Sequence, residues 1–342
     1  MLAPKSYKVS FLLLGIALTT VFLLNISLGS VAIPFADTLE LILGYQSDGP
    51  LHYIIWHYRI PKACTAILVG GGLSLSGLLM QTFFRNPLAG PFVLGISSGA
   101  SLGAALLLMG AASLAMTVTF YPFTDISLTI ASSLGSFLVL FVVMVVANRI
   151  KDTMALLIIG LMFGSITAAI VSILAYFSSA EQLQRFVFWS YGSLGNLSWH
   201  QVLILVNIVF IGTVLSILSI KNLNAYLLGE QYAQSIGVSL KTSKYMIITA
   251  TGILAGGITA FAGPIAFVGL AVPHLTRQLF DTMEHKILIP AVILYGSVLM
   301  LLCDLIAQLP NMASVLPINA ITSIVGAPVV IWLLVRKRKI VF

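Results

Sequence analysis

Residues 154–177 read MALLIIGLMFGSITAAIVSILAYF, twenty-four positions without one charged side chain. As a helix rising 1.5 Å per residue this segment is about 36 Å long, more than the hydrocarbon thickness of a bilayer, about 30 Å. Lipid offers a backbone no hydrogen-bond partners, so such a run crosses it as a helix. A β-barrel strand would instead alternate apolar and polar positions over about ten residues, and nothing in this stretch alternates.

Working outward, comparable apolar runs recur on both sides. Hydropathy predicts ten spans, at 9–32, 63–83, 93–110, 128–148, 154–177, 200–220, 243–262, 264–280, 287–307 and 320–335. Over the whole 342 residues, 59% are hydrophobic and 8% charged, with mean hydropathy +1.07. A soluble domain of that size needs far more charge to cover its surface. The prediction is an all-α polytopic membrane protein, read as one domain over 1–342 because no low-complexity linker divides it. The first run, Val9 to Ile33, is too long for the apolar core of a signal peptide, although Lys5 and Lys8 precede it and Ser30-Val31-Ala32 loosely suggests a cleavage site. It reads as a retained helix. Polar segments at 34–61 and 178–199 are long enough for short surface helices.

Charge placement tests this map. With the N-terminus in the cytoplasm, Lys5, Lys8, Arg85, Arg149, Lys151, Lys221, Lys241, Lys244, Arg277, Lys286 and the Arg336–Lys339 cluster fall inside, and Arg59, Lys62 and Arg185 outside. That is fourteen against three, the bias expected of cytoplasmic loops, and it requires an even number of spans with both termini inside. The net charge of +7 is therefore a topology signal, and Arg336–Lys339 reads as an anchor on anionic lipid, with no nucleic-acid partner implied.

Small residues inside the spans (Gly70-Gly71-Gly72, Gly99/Gly103, Gly160/Gly164, Gly252/Gly256) predict closely approaching helices. Cys64 and Cys303 read as isolated packing residues. Asp304 is the one acid well inside a span, one turn from its outer end, where an interfacial bond to a loop is the simpler reading than a proton relay. Without a relay of intramembrane acids, bases or histidines, an ion-gradient carrier is the weaker alternative. His52, His57, His200, His274 and His285 are scattered, and no phosphate-binding loop is present, so neither a metal site, a catalytic cluster nor intrinsic ATP hydrolysis is predicted. The aromatic group His52, Tyr53, Trp56, His57 and Tyr58 is compatible with haem ligation, but an interfacial aromatic belt accounts for it more simply.

Three stretches depart from plain lipid-facing helix. The first is Gln81-Thr82-Phe83-Phe84-Arg85-Asn86-Pro87-Leu88-Ala89-Gly90-Pro91, followed by Leu94-Gly95-Ile96-Ser97-Ser98-Gly99-Ala100, a rigid turn leading into a small-residue span. The second, 222–240, holds Leu228-Gly229-Glu230, Ala233 and Ile236-Gly237-Val238 and predicts one or two short surface helices ended by Gly237. The third runs from Gly263-Pro264 through Phe267-Val268-Gly269-Leu270 to Pro273-His274 and Arg277, with Pro264 placed to open a helix and Pro273 to kink or end it.

In this order, these segments resemble the membrane permeases of the FecCD family, the iron-siderophore, haem and cobalamin branch of bacterial ABC importers. Phe84-Arg85-Asn86-Pro87-Leu88-Ala89 with Gly95, Ser97 and Gly99 is the most specific match; Trp189-Ser190-Tyr191-Gly192-Ser193-Leu194, Pro273-His274 with Arg277, and Gly326-Ala327-Pro328 extend it. The resemblance implies a type II (BtuC-like) importer fold in the inner membrane and a homodimer translocating an iron chelate, foremost a ferric siderophore, or haem or cobalamin. Two ATPase subunits, carrying the ATP and Mg, would engage the coupling helices at Leu228, Gly229, Glu230, Ala233 and Gly237. This chain would bind no cofactor of its own. The resemblance places an inner gate at Asp152 and Thr153, and docking of a periplasmic binding protein at Arg59, Lys62 and the position of Gln308. The family's Glu-Leu-Pro-hydrophobic-Gly run reads Val315-Leu316-Pro317-Ile318-Asn319 here, so its acid and its glycine are replaced.

Overall fold

The computed structural model describes residues 7–29, 33–42, 49–110, 125–150, 153–195, 197–308 and 315–335. Asp152, Lys5, Lys151, the Ser30–Ala32 tripeptide and the Arg336–Lys339 cluster lie outside these residues. All regular structure among them is helical. The helices are α1 (Lys8–Ser27), α2 (Phe35–Ile42), α3 (Pro50–Phe83), α4 (Ile96–Gly110), α5 (Asp125–Ala147), α6 (Thr153–Tyr176), α7 (Ala180–Ser190), α8 (Trp199–Leu218), α9 (Ile220–Leu227), α10 (Glu230–Ser235), α11 (Leu240–Ala262), α12 (Val268–Phe280), α13 (His285–Ala307) and α14 (Ile318–Val335). Seven of them are long and apolar enough to cross a membrane: α1, α3, α5, α6, α8, α11 and α13. The two other apolar helices, α4 and α14, are shorter, and α12 has only 13 residues. Each of the ten expected spans thus coincides with a helix.

Burial sorts these helices into a centre and a periphery. In their most apolar windows α3 is 83% and α11 72% buried, whereas α6 is 17% and α1 and α8 each 22% buried. Between helices in lipid there is little hydrophobic drive, so close backbone approach has to hold the centre together. Antiparallel α3 and α13 meet at Gly70 and Gly296, where a methyl on either would overlap the other's carbonyl. Helices α4 and α5 meet in the same way at Gly99 and Gly135, and α6 touches the turn before α4 at Gly160.

The tightest such contact involves α12. Pro273 lies inside this helix and does not end it. Lacking an N–H, it leaves the Gly269 carbonyl without its helical donor. That carbonyl points at Gly77 of α3, where any side chain would collide with it. The kink signal read at Pro273 is therefore absorbed by a helix-to-helix contact.

Pro264 does not open α12. Helix α11 ends at Ala262, Gly263 takes φ 73°, Phe267 takes φ 66°, and the helix begins at Val268. The cause lies far along the chain: Asn319 Oδ1 accepts the Ala266 N–H at 3.0 Å and fixes the loop open. At about 20 Å, α12 is shorter than the hydrocarbon thickness of a bilayer, about 30 Å.

The segment at 34–61 is also more ordered than expected. Helix α2 occupies its first part, and α3 starts at Pro50, so His52 to Tyr58 are helical and continue through a π-type turn at Ile55–Arg59 into the central helix. The second expected surface segment contains α7, whose Ser179 and Gln182 form a reciprocal capping box.

Candidate functional site: the two ends of the bundle

At the end carrying Arg85, Lys244 and Arg277, which the charge distribution assigns to the cytoplasm, the three unusual stretches come together. The turn after α3 is locked by Asn86, whose Oδ1 accepts the Leu88 N–H at 2.9 Å and whose carbonyl accepts the Ala89 N–H at 3.1 Å. Arg85 sits at φ 47°, a left-handed conformation unusual for a side-chain-bearing residue. Past Pro87, the chain delivers Pro91 against Gly269, where a methyl would meet the proline ring at 2.8 Å. Gly95 at φ 74° then precedes α4, with Ser97 half-buried in its first turn and Gly99 buried against α5.

Helices α9 and α10 form a structured segment at the same end, the two short helices expected within 222–240. Gly229 at φ 102° separates them, and Gly237 at φ 88° ends the second, with the Val238 N–H donating back to Ala233 O at 3.0 Å. Ala233 faces inward and is fully buried, while Leu228, Tyr232 and Ile236 are 62%, 51% and 55% exposed. Tyr232 and Ile236, four apart, share one face of α10, and Leu228 stands exposed just before the Gly229 break. Glu230 opens α10 and is partly exposed; Gly229 lies within reach of the Arg85 guanidinium. Beneath, the Tyr226 ring packs on Phe83 of α3 with centroids 5.8 Å apart. Burial, with the charge of Glu230, pushes the Tyr226 phenol up to about 12.

The last residues of α3 reach into the neighbouring helices. Gln81 donates to Leu270 O at 3.0 Å and accepts from Arg277 Nη1 at 2.7 Å, which ties α3 to both ends of α12. Thr82 meets His285 Nε2 at 2.8 Å. Pro273 is buried and His274 half-buried on α12. Thr153 is the first residue of α6. The turn just before it is held by Lys244 of α11, whose ammonium donates to Ala147 O at 3.1 Å and Ile150 O at 2.8 Å. A cation there also complements the carboxyl end of α5.

At the opposite end, Arg59, Lys62 and Gln308 line one cavity of about 680 Å³ together with Asp304, Tyr58, Phe188, Tyr191, Gly192–Gly195 and Val315–Ile318. The motif after α7 and the departure from the family run before α14 therefore belong to the same place. Their polar groups are engaged internally. Arg59 is 9% exposed and donates from Nη1 to the carbonyls of Ile26 and Ser27 (2.9 Å for the latter), closing off the carboxyl end of α1. Lys62 Nζ lies 3.0 Å from Asp304 Oδ1. The second Asp304 oxygen accepts from Gln308 Nε2 at 2.7 Å and Asn25 Nδ2 at 2.9 Å. Asp304 is thus bonded to α1, α3 and its own helix; the loop partner expected from its position near a helix end is not what it finds. Asn25 escaped the sequence reading, although a polar amide inside an apolar run was itself a signal. Asn319, one of the two departures noted in the run before α14, accepts the Ala266 bond described above and donates its own N–H to the Tyr191 carbonyl at 3.2 Å.

The profile of the FecCD transport family matches residues 17–336, nearly the whole chain. The chain belongs to the FecCD transport family. Among its relatives in that family is the vitamin B12 import system permease protein BtuC of Klebsiella pneumoniae, 35% identical over 285 residues, 83% of each chain. The hemin transport system permease protein HmuU of Yersinia pestis is 32% identical over 330 residues, 96% of each. A solved structure of a metal-chelate type ABC transporter in an inward-facing conformation superposes with a TM-score of 0.83 at 29% identity, covering 97% of this chain and 100% of that one. A FecCD chain is a transport permease and not an enzyme, and the all-helical architecture is that of the BtuC-like permeases.

Proposed function

We propose that this chain is the permease subunit of an inner-membrane ABC importer that passes a metal chelate, a ferric siderophore, haem or cobalamin, from a periplasmic binding protein to the cytoplasm. It works as a homodimer, with two ATPase subunits binding ATP and Mg and both termini in the cytoplasm. The observation that carries this is the exposure of three apolar side chains, Leu228, Tyr232 and Ile236, on a short structured segment that turns at Gly229 and Gly237 and buries Ala233. Such a segment in a cytoplasmic loop is what a soluble motor can grip and push. The vitamin B12 and hemin permeases among the relatives support the chelate class.

The binding protein docks at the other end, over the cavity lined by Arg59, Lys62 and Gln308. An acidic residue of the binding protein reaches Lys62 only in competition with Asp304. Such a contact contributes about 1 kcal/mol or less and acts mainly on association rate. Asp152 and Thr153 form the cytoplasmic gate, and the bonds of Lys244 to Ala147 O and Ile150 O, shortly before Thr153 in the chain, support that reading.

The test is uptake into proteoliposomes containing the permease, its ATPase and the binding protein, with haem, cobalamin and a ferric hydroxamate siderophore offered separately. ATP-dependent accumulation of one of them is expected. Accumulation by the permease alone under an ion gradient, without ATPase, would sink the proposal.

A further inference from the structure

We propose that His285 is a positioning residue that transmits displacement of the coupling segment into the membrane core, because it joins α9 to the end of α3 by an uninterrupted chain of hydrogen bonds. The inference rests on reading α9–α10 as the surface an ATPase pushes. His285 is fully buried at the start of α13. Its backbone N–H donates to Asn224 Oδ1 of α9 at 3.1 Å, and its ring Nδ1 lies 2.6 Å from the same oxygen. Its Nε2 lies 2.8 Å from Thr82 Oγ1 of α3.

The geometry fixes the protons. A backbone N–H can only donate, so the Asn224 atom it meets is the amide oxygen, and Nδ1, facing that oxygen, carries a hydrogen. A neutral imidazole then has Nε2 as acceptor, and the Thr82 hydroxyl donates to it. Asn224 Oδ1 thus accepts twice from His285, and His285 Nε2 accepts once from Thr82. The residues on either side of Thr82 extend the connection: Gln81 holds α12 through Leu270 and Arg277, and Phe83 carries the Tyr226 ring of α9. Three consecutive residues at the end of the most buried helix are therefore tied to α12, α13 and α9. The Thr82–His285 bond is buried and the two Asn224–His285 bonds are partly so; breaking them leaves costly unpaired groups, so a shift of α9 is carried to α13 and α3. The chain is a physical two-bond link between named elements and not merely a path through intermediate space.

The experiment uses the reconstituted complex with its ATPase, and reads Mg-ATP hydrolysis before and after adding the unloaded binding protein. Stimulation by a protein that docks at the far end requires a signal through the core, whereas basal hydrolysis requires only that the ATPase be seated. Thr82→Val, isosteric and lacking the donor, is expected to keep basal hydrolysis and to lose stimulation by about five-fold, the effect of one net hydrogen bond. His285→Leu is expected to lose at least as much, and His285→Gln, which retains a donor and an acceptor, to recover most of it. Combining Thr82→Val with His285→Leu adds nothing further if both act in one chain. Full stimulation in Thr82→Val and His285→Leu overturns the inference, as does a parallel fall of basal and stimulated rates with protein yield, which marks a structural role alone. If the unsubstituted permease neither binds an ATPase nor responds to the binding protein, the functional reading itself fails, and the inference with it.

Discussion

Removing Lys62 should be far more damaging than removing the pair it forms. In Lys62→Met the Asp304 carboxylate, 2% exposed, keeps its two amide donors from Asn25 and Gln308 but loses the Lys62 ammonium 3.0 Å away. Breaking a buried ion pair by deleting one partner costs about 3–5 kcal/mol; since the Lys62 side chain is 17% exposed, the lower end, about 3 kcal/mol, applies. With an unfolding entropy of about 2 cal/mol/K per residue, a chain of this length should melt about 4 °C lower. Replacing both ends, Lys62→Met with Asp304→Leu, removes the stranded charge along with its desolvation and should recover most of that loss. The assay is thermal unfolding of the detergent-solubilised chain, single variants against the double, analysed as a mutant cycle. A Lys62→Met protein within about 1 °C of the parent, or a double variant worse than the sum of the singles, would falsify the view that this pair is a desolvated, mutually dependent unit.

Gly77→Val should fail to assemble, because its branched side chain has to occupy the place of the Gly269 carbonyl; overpacking of this kind costs about 1–3 kcal/mol or more, and a monodisperse, normally stable product would contradict the contact. Asn319→Gly removes the acceptor for the Ala266 N–H and should speed exchange of that amide by about five-fold, with unchanged exchange as the opposing result. Leu228→Asp combined with Ile236→Asp lies on exposed positions and should leave thermal stability within about 0.5 kcal/mol while abolishing co-purification of an ATPase partner. Stoichiometric co-purification would mean that the partner grips elsewhere.

The membrane helices were legible because lipid imposes one rule on every backbone group, so an apolar run of sufficient length reads as a helix without knowledge of its neighbours. The short helices α9 and α10 were legible for a local reason too, since Gly229 and Gly237 mark the positions where only a left-handed backbone continues the chain. What escaped were the effects of partners far away in sequence. Pro264 sits where a helix could begin, but Asn319 captures the Ala266 N–H and moves the start to Val268. The polar segment at 34–61 read as room for a short surface helix, yet its second half, from Pro50, is the start of α3. Arg59, Lys62 and Gln308 were identified by motif, which places them at one end but says nothing of Ile26, Asn25 or Asp304, the groups that engage them. His285 looked isolated because its partners, an amide and a hydroxyl, are neither metal ligands nor carboxylates.

The contact between Gly77 and the Gly269 carbonyl has a mechanical corollary. Two backbones touching without intervening side chains have no rotamers to rearrange, so the point behaves as a bearing. Gly269 is the second residue of α12, and Phe280 lies eleven residues, about 16 Å, further along. A tilt of about 10° around that bearing would carry the Phe280 end about 3 Å sideways while the other end stays in place. Two restraints oppose such a tilt: Phe280 is buried against Tyr7 and Phe11, and Gln81 is bonded to α12 near the bearing and again through Arg277 two turns on.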